Sequence, residues 1–377
     1  MRQRFHEFLP RTSHDDVARQ EFVKSLRGFL SSRVMPGNQA IFSQRVEPAF
    51  RAAQGRPPAD RAEVRRLMTA EPYYRFWSAM QRRSQELMWE SVILPTEREL
   101  PDLVQRARAL AAKPGPGSLR LDPQMPLPRY HTEQDIHIQP GGYHAEWTAD
   151  DVSGGALYEA GLQMYMADAW GPEGAFLGEL LLRYLRQRWP EFRPRRILDM
   201  GCAVGNSTLP WARAFPDAEV HAIDVAAPVL RHGHARARSL GVPVHFSQQN
   251  AEATDFEPGS FDLVVSHIML HETSLVALPR IFRESQRLLR PGGLMLHMDI
   301  PRGDTPFRQF MHDWESYNNN EGFARFMTGL DLRGVALEGG WAPDSVEVAR
   351  TVAGLNAAQK NYTDADYAFA IVVGQRP

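Results

Sequence analysis

The chain has 377 residues, of which 43% are hydrophobic and 23% charged, with a formal net charge of −2 at pH 7. That length exceeds one ordinary domain and can bury a sizeable core, while no apolar run is long enough for a membrane-spanning helix. The single cysteine, Cys202, excludes intrachain disulfides and any multi-cysteine metal centre.

The opening residues 1–8 lack the apolar stretch of a secretory leader and residues 374–377 are no lipidation box, so the expected location is the cytoplasm. Residues 15–110 read as helical. Phe22, Val23, Leu26, Phe29 and Leu30 recur at helix spacing, and Pro72 opens a long pattern through Phe76, Met80, Leu87, Met88 and Trp89. Such stripes need cover, from the rest of the chain, from a partner subunit or from both, and a homodimer is expected. Residues 1–129 carry 22 Lys and Arg against 14 Asp and Glu, and residues 130–377 carry 21 against 31. A basic arm can signal nucleic acid. Here only Lys24, Lys113 and Lys360 are lysines, so the arginines reflect a compositional bias and, alternating with acids, predict a solvated surface and no nucleic-acid partner. The Pro- and Gly-rich run 113–129 reads as a linker that closes a helical N-terminal region, residues 1–129.

Residues 130–175 hold polar and aromatic residues around the turn Pro140-Gly141-Gly142, flanked by His137 on one side and Tyr143 and His144 on the other, followed by Trp147, Tyr158, Met164 and Tyr165. This composition predicts either a loop folded over a pocket or a surface turn with half-buried aromatics. On the first reading His137, Tyr143, His144, Tyr158 and Tyr165 contact a substrate.

The core region, residues 176–377, opens with a helix at 176–189. Ile197 and Leu198 then read as a buried parallel strand that ends in Asp199, ahead of a loop with Gly201, Cys202, Ala203 and Gly205 at the mouth of a helix. A dinucleotide-binding turn follows G-x-G-x-x-G, so that a pyrophosphate can sit on the helix N-terminus, and usually has no acid inside it. An acid at this point suits a cationic amino acid moiety. A second strand, 219–224, ends in Asp224, where a carboxylate can accept hydrogen bonds from both ribose hydroxyls. Either acid alone could be a helix cap, but two at the ends of successive strands point to a nucleoside carrying an amino acid. Three more signals follow in order: Asn250-Ala251-Glu252 after a strand at 244–247, a fourth strand ending at Ser266, and a helix end, Gly292-Gly293 turn and fifth strand over 288–296. Residues 368–373 read as the last buried strand.

With these five signals, residues 195–300 resemble a class I S-adenosylmethionine-dependent methyltransferase, near the branch of the ubiquinone and menaquinone C-methyltransferases. The resemblance implies an α/β fold, a Rossmann-like sheet with helices on both faces, plus a helical N-terminal cap. It implies S-adenosylmethionine as cofactor and S-adenosylhomocysteine as product. Asp199, Gly201 and Gly205 would hold the methionine part, with Cys202 as a small filler and Ala203 in the same loop. Asp224, with Val225 beside it, would hold the ribose. Asn250 and Ala251 would lie against the adenine, where family members usually have Asp-Ala, and Ser266 would close the site at the end of strand four.

Methyl transfer from a sulfonium is an in-line displacement, and a base is needed only for an acceptor that arrives protonated. His267 and His271 lie four apart just past strand four and would share a helix face; His271 is the first base candidate and His267 the second. With Glu272 they could suggest a metal, but His-x-x-x-His-Glu is not a zinc-helix pattern and none is expected. Between the fifth and last strands, residues 307–320 occupy the place where many relatives carry a substrate-covering segment, which adds Trp314 and Tyr317 as substrate contacts. The expected function is methylation of a small apolar or aromatic molecule. The alternatives are a nucleic-acid or protein methyltransferase and a non-catalytic scaffold. Ser266-His267-Ile268 stands where a base-flipping enzyme would carry Asn-Pro-Pro-Tyr, and a scaffold would usually have lost Asp199 or the glycines.

Overall fold

The computed structural model describes residues 6–165, 170–300, 303–351 and 369–377. Residues 1–5 of the opening segment and Ala368 of the expected last strand lie outside the described residues. The N-terminal third is helical, as its periodicity predicts: α1 His14–Phe29, α2 Met35–Ile41, α3 Glu47–Gln54, α4 Arg61–Met68 and the 40-residue α5 Pro72–Ala111. Ser13 starts α1 through a reciprocal cap, its hydroxyl accepting from the Asp16 amide while the Asp16 carboxylate accepts from the Ser13 amide. Pro72 occupies the first turn of α5, where its missing N–H costs nothing.

Eight strands follow: β1 Ser118–Arg120, β2 Arg196–Met200, β3 Glu219–Asp224, β4 His245–Gln248, β5 Phe261–His267, β6 Leu289–Asp299, β7 Val346–Arg350 and β8 Ala370–Gln375. They form one sheet in the order β1-β4-β3-β2-β5-β6-β8-β7, parallel except for β8, which runs antiparallel to both neighbours. The intervening helices are α6 Arg129–Thr132, α7 Ser153–Tyr165, α8 Phe176–Arg188, α9 Leu209–Ala214, α10 Ala227–Ser239, α11 Ala277–Leu288, α12 Pro306–Asn318, α13 Ala324–Met327 and α14 Leu332–Glu338. Two separate apolar clusters flank the sheet, so β2 and β5 are buried on both faces and read as unbroken apolar runs.

The stretch expected to be a linker departs from that reading: Ser118, Leu119 and Arg120 pair in parallel with His245, Phe246 and Ser247 at the edge of the sheet. Three residues with exposed flanks show no alternation from which a strand could be read. The long helix α5 packs on α7 and α10, and α12 packs on α4 and α5. Glu159 of α7 fastens the chain start to this arrangement. It meets His6 Nε2, His232 Nε2 and Arg236 Nε at 2.7 Å each, and although burial opposes its charge, Arg236 and His6 hold its carboxyl well below the ordinary range. The stripe on α1 is split: Val23 and Leu30 are buried, whereas Phe22 and Phe29 stay 62% and 56% exposed. Among the described residues no helix is long and apolar enough to cross a membrane.

Candidate functional site

The carboxyl end of β2 sets the frame. Asp199 is buried, accepting from Thr208 Oγ1 at 2.5 Å and facing His267 Nδ1 at 3.2 Å. Beyond it the backbone turns through left-handed positions at Gly201, Ala203 and Gly205. A Cβ at Gly201 would stand 2.2 Å from Met269 Cγ, and one at Gly205 would stand 3.0 Å from the Phe246 ring. Gly205 thus lets the loop approach its own core, and Gly201 lets it approach the cavity wall.

At the end of β3, Asp224 Oδ2 accepts from the Ala203 amide and Oδ1 from the Ala226 amide, both at 3.0 Å. Burial pushes its carboxyl up to about 6, against the pull of those two amides. Asn250 Oδ1 accepts from the Glu252 amide at 2.9 Å, which curls the segment after β4.

These elements form one side of a cavity lined by Gly201, Ala203, Asp224, Val225, Gln249, Asn250 and Ala251. Its other side comes from the segments added to the sheet: Gln85, Met88 and Trp89 of α5, Tyr130 and His131 of α6, His137, Gln139 and Tyr143 of the segment after it, and Tyr158 and Tyr165 of α7. Ile268, Met269, Glu272 and Thr273, beyond β5, close the floor between them.

Four of the expected cofactor contacts stand behind this surface instead of on it. Asp199 is taken up by Thr208 and His267, Gly205 by Phe246, and Cys202 by the core, where burial pushes its thiol well up. Ser266 is fully buried and its hydroxyl lies 2.7 Å from His297 Nδ1.

The two base candidates do not share a helix face. His267 is the last residue of β5, Ile268 follows with a left-handed φ of 50°, and His271 sits in the single 3-10 turn Leu270–Glu272. His267 lines the cavity, but its Nδ1 faces Asp199 and its Nε2 accepts from Trp211 Nε1 at 3.3 Å. His271 lies outside the lining, with Nδ1 2.8 Å from Asp299 and Nε2 3.6 Å from Glu321. Burial opposes its charge, yet Asp299 and Glu321 raise it to about 9. It is an imidazolium at neutral pH and has no free pair to take a proton, which corrects its assignment as the base.

Of the expected substrate contacts, His137, Tyr143, Tyr158 and Tyr165 line the cavity, whereas His144, Trp314 and Tyr317 do not. His144 stands beside His131 with ring centres 5.5 Å apart. Trp314 is a core residue between α12 and α5, 5.7 Å from the Trp77 ring and donating to Ser78 Oγ at 2.9 Å. Tyr317 is 54% exposed, with the Arg65 guanidinium 3.7 Å above its ring.

His137 is the hub of the far wall. Its Nδ1 is 2.8 Å from Glu321 and its Nε2 3.3 Å from Glu272, and its carbonyl accepts from Trp89 Nε1 at 2.8 Å and Gln85 Nε2 at 3.2 Å. Burial opposes its charge, but Glu321 and Glu272 hold it well above an ordinary histidine. At His131 burial, helped by the neighbouring His144, outweighs the pull of Glu272 and lowers it to about 4. Glu272, Gln139, His131 and Trp89 are lining residues that sequence reasoning did not single out as contacts. Trp89 carried the one usable signal, as part of an apolar helical stripe in need of cover.

Residues 197–293, from β2 into β6, match the family model of a methyltransferase domain. The chain is similar to a methyltransferase of Strobilurus tenacellus, 33% identical over 141 residues, which are 37% of this chain and 44% of the relative. It is similar to the demethylmenaquinone methyltransferase of Thermus thermophilus, 32% identical over 111 residues, 29% of this chain and 50% of the relative. A malonyl-[acyl-carrier protein] O-methyltransferase of Halorhodospira halophila is 30% identical over 148 residues, 39% of this chain and 48% of the relative. The chain thus spans about half the length of the curated relatives it matches.

Proposed function

We propose that this chain, whose residues 197–293 form a class I S-adenosylmethionine-dependent methyltransferase domain, methylates a small molecule held between that domain and its helical cap. The observation that carries the reading is the placement of the half-buried Asp224 carboxylate in the same cavity wall as the Gly201–Ala203 turn and Asn250-Ala251. Asp224 suits the two ribose hydroxyls, already oriented by the Ala203 and Ala226 amides. Backbone at Gly201 and Ala203 suits the methionine end, with Asp199 and His267 shaping the turn from behind, and Asn250 suits the adenine edge. When bound, S-adenosylmethionine supplies an electrophilic methyl group on a sulfonium.

Residues 130–175 and α5 would serve as the cap of the domain at residues 176–377, excluding water and orienting the acceptor with His137, Tyr143, Tyr158 and Tyr165. The menaquinone- and malonyl-directed names of the relatives support a small-molecule acceptor over nucleic acid. We also read the protein as a homodimer, a reading supported by the uncovered Phe22 and Phe29 of α1 and tested by light scattering, and as cytoplasmic, which fractionation of cells that express it tests.

Calorimetry tests the central claim. S-adenosylmethionine should bind and NAD should not, and Asp224→Ala should weaken cofactor binding by about 1 to 3 kcal/mol through lost hydrogen bonds. Undetectable S-adenosylmethionine binding, or tighter binding of NAD, would sink it.

A further inference from the structure

The strap of residues 135–139, which gives His137 and Gln139 to the cavity wall, has a backbone its own residues disfavour. His137 and Ile138 stand one after the other at left-handed φ of 55° and 52°, although neither is glycine and Ile138 branches at Cβ. A strained pair persists only where its neighbours fix it from several sides.

The polar fastening is centred on His137. Its ring lies 2.8 Å from Glu321 and 3.3 Å from Glu272, its carbonyl accepts from Trp89 and Gln85, and the Asp135 carbonyl accepts from Asn320 Nδ2 at 3.0 Å. Gln139 anchors the far end, its Nε2 donating to the carbonyls of Gly142 at 2.9 Å and Gly154 at 3.1 Å. The underside is apolar. Ile136 is 2% exposed and shares one cluster with Val204, Ala226 and Val229. Val204 belongs to the glycine turn after β2, and the Ala226 amide is one of the two that orient Asp224. The strap therefore rests on both segments that would hold the cofactor.

Resting on the methyl-transfer reading above, we propose that His137 is a positioning residue: its ion pairs with Glu321 and Glu272 latch the strained strap, the latched strap seats Ile136 against the cofactor turn, and unlatching lets S-adenosylhomocysteine leave.

The charged and titratable groups around the latch set its pH dependence. They are Glu272 after β5, Glu315 of α12, Glu321 just past it, His271 and Asp299 behind Glu321, and Arg27 of α1, which lies 4.5 Å over the Tyr165 ring that His137 meets edge-on. His137 is held above an ordinary histidine, so the latch is complete at neutral pH and is lost as pH climbs through the raised value. Glu315, pushed by burial to about 8, ionises beside it first, and His271 gives up its charge at about 9. Both changes make the surroundings more negative and retain the His137 proton. Unlatching thus falls at the alkaline end.

The test uses the 377-residue chain and His137→Asn, since asparagine tolerates the left-handed backbone but carries no charge. Without ligand, amides 134–138 should exchange about tenfold or more faster in the variant. Radiolabelled S-adenosylhomocysteine, chased with unlabelled compound at neutral pH, should leave it about tenfold or more faster. Between about pH 7 and pH 10 wild-type release should accelerate, and release from His137→Asn should stay flat. Adding Glu321→Gln to His137→Asn should slow release again by about threefold or more, because it removes a carboxylate left without its cation, which lost packing alone would not reverse. If His137→Asn does not fold, Glu321→Gln alone should speed both exchange and release. Wild-type exchange and release in His137→Asn, or a double variant no slower than the single, overturns the latch. S-adenosylhomocysteine that never binds the wild type overturns the methyl-transfer reading first, and amide exchange then still decides whether the latch exists.

Discussion

His271 shows how a residue type can suggest one role and its surroundings impose another. Its imidazolium is held at about 9 between Asp299 and Glu321, against an ordinary 6.5. The folded value lies above the unfolded one, so the stability it contributes is fully present below about pH 6.5 and is lost as pH climbs through 9. The difference is worth on the order of 3 kcal/mol for so buried a group. Urea unfolding between about pH 6 and pH 10 should show that loss, with His137 acting in the same direction, and His271→Asn should be less stable at the acid end and flatter across the range. An unchanged slope in the variant would remove His271 as its source. At this scale the sequence was a partial guide. The strands that carry Asp199 and Asp224 and the turn at Gly201 were legible because a strand, an acid and a glycine turn make a local pattern. Glu272 and Gln139 were not, since their meaning depends on Tyr143, His137 and Gly154, which are distant in sequence from one or the other.

Among the elements, α5 and α7 come closest to overlap at a small residue. A Cβ at Gly161 of α7 would fall 2.7 Å from Trp89 Cζ3, and the same tryptophan holds the His137 carbonyl. Gly161→Ala should therefore push the helices apart and cost about 1 to 3 kcal/mol of stability by overpacking, which chemical denaturation would measure. Gly161→Ala with wild-type stability would mean that the helix pair has room to adjust. The periodicity of α1 to α5 and the run of buried parallel strands were readable because they repeat along the chain at 3.6 or as apolar blocks. The partner of each face was not: Trp314 has the composition of a pocket residue, and only the packing of α12 on α5 turns it into core. The edge strand β1 was hidden for a related reason, as its pairing with β4 joins segments far apart in the chain.

On the scale of the whole molecule, the basic excess of the N-terminal third is in part answered from within, since Arg61 and Arg65 of α4 meet Asp313 of α12 at 3.1 and 3.2 Å. The same contact between α12 and the N-terminal helices buries Phe42, Tyr74 and Trp77 against Phe307, Phe310 and Trp314. Ser78 and Trp314, which are hydrogen-bonded there, are 236 positions apart. On a ribosome adding about 5 to 20 residues per second, the aromatic face of α5 therefore waits roughly 10 to 50 seconds for the segment that covers it. During that interval it is a sticky surface on a growing chain, and holdase chaperones are its natural cover. A chain terminated at residue 305 should keep that face bare and pellet when the 377-residue chain, made under the same conditions, stays in the supernatant.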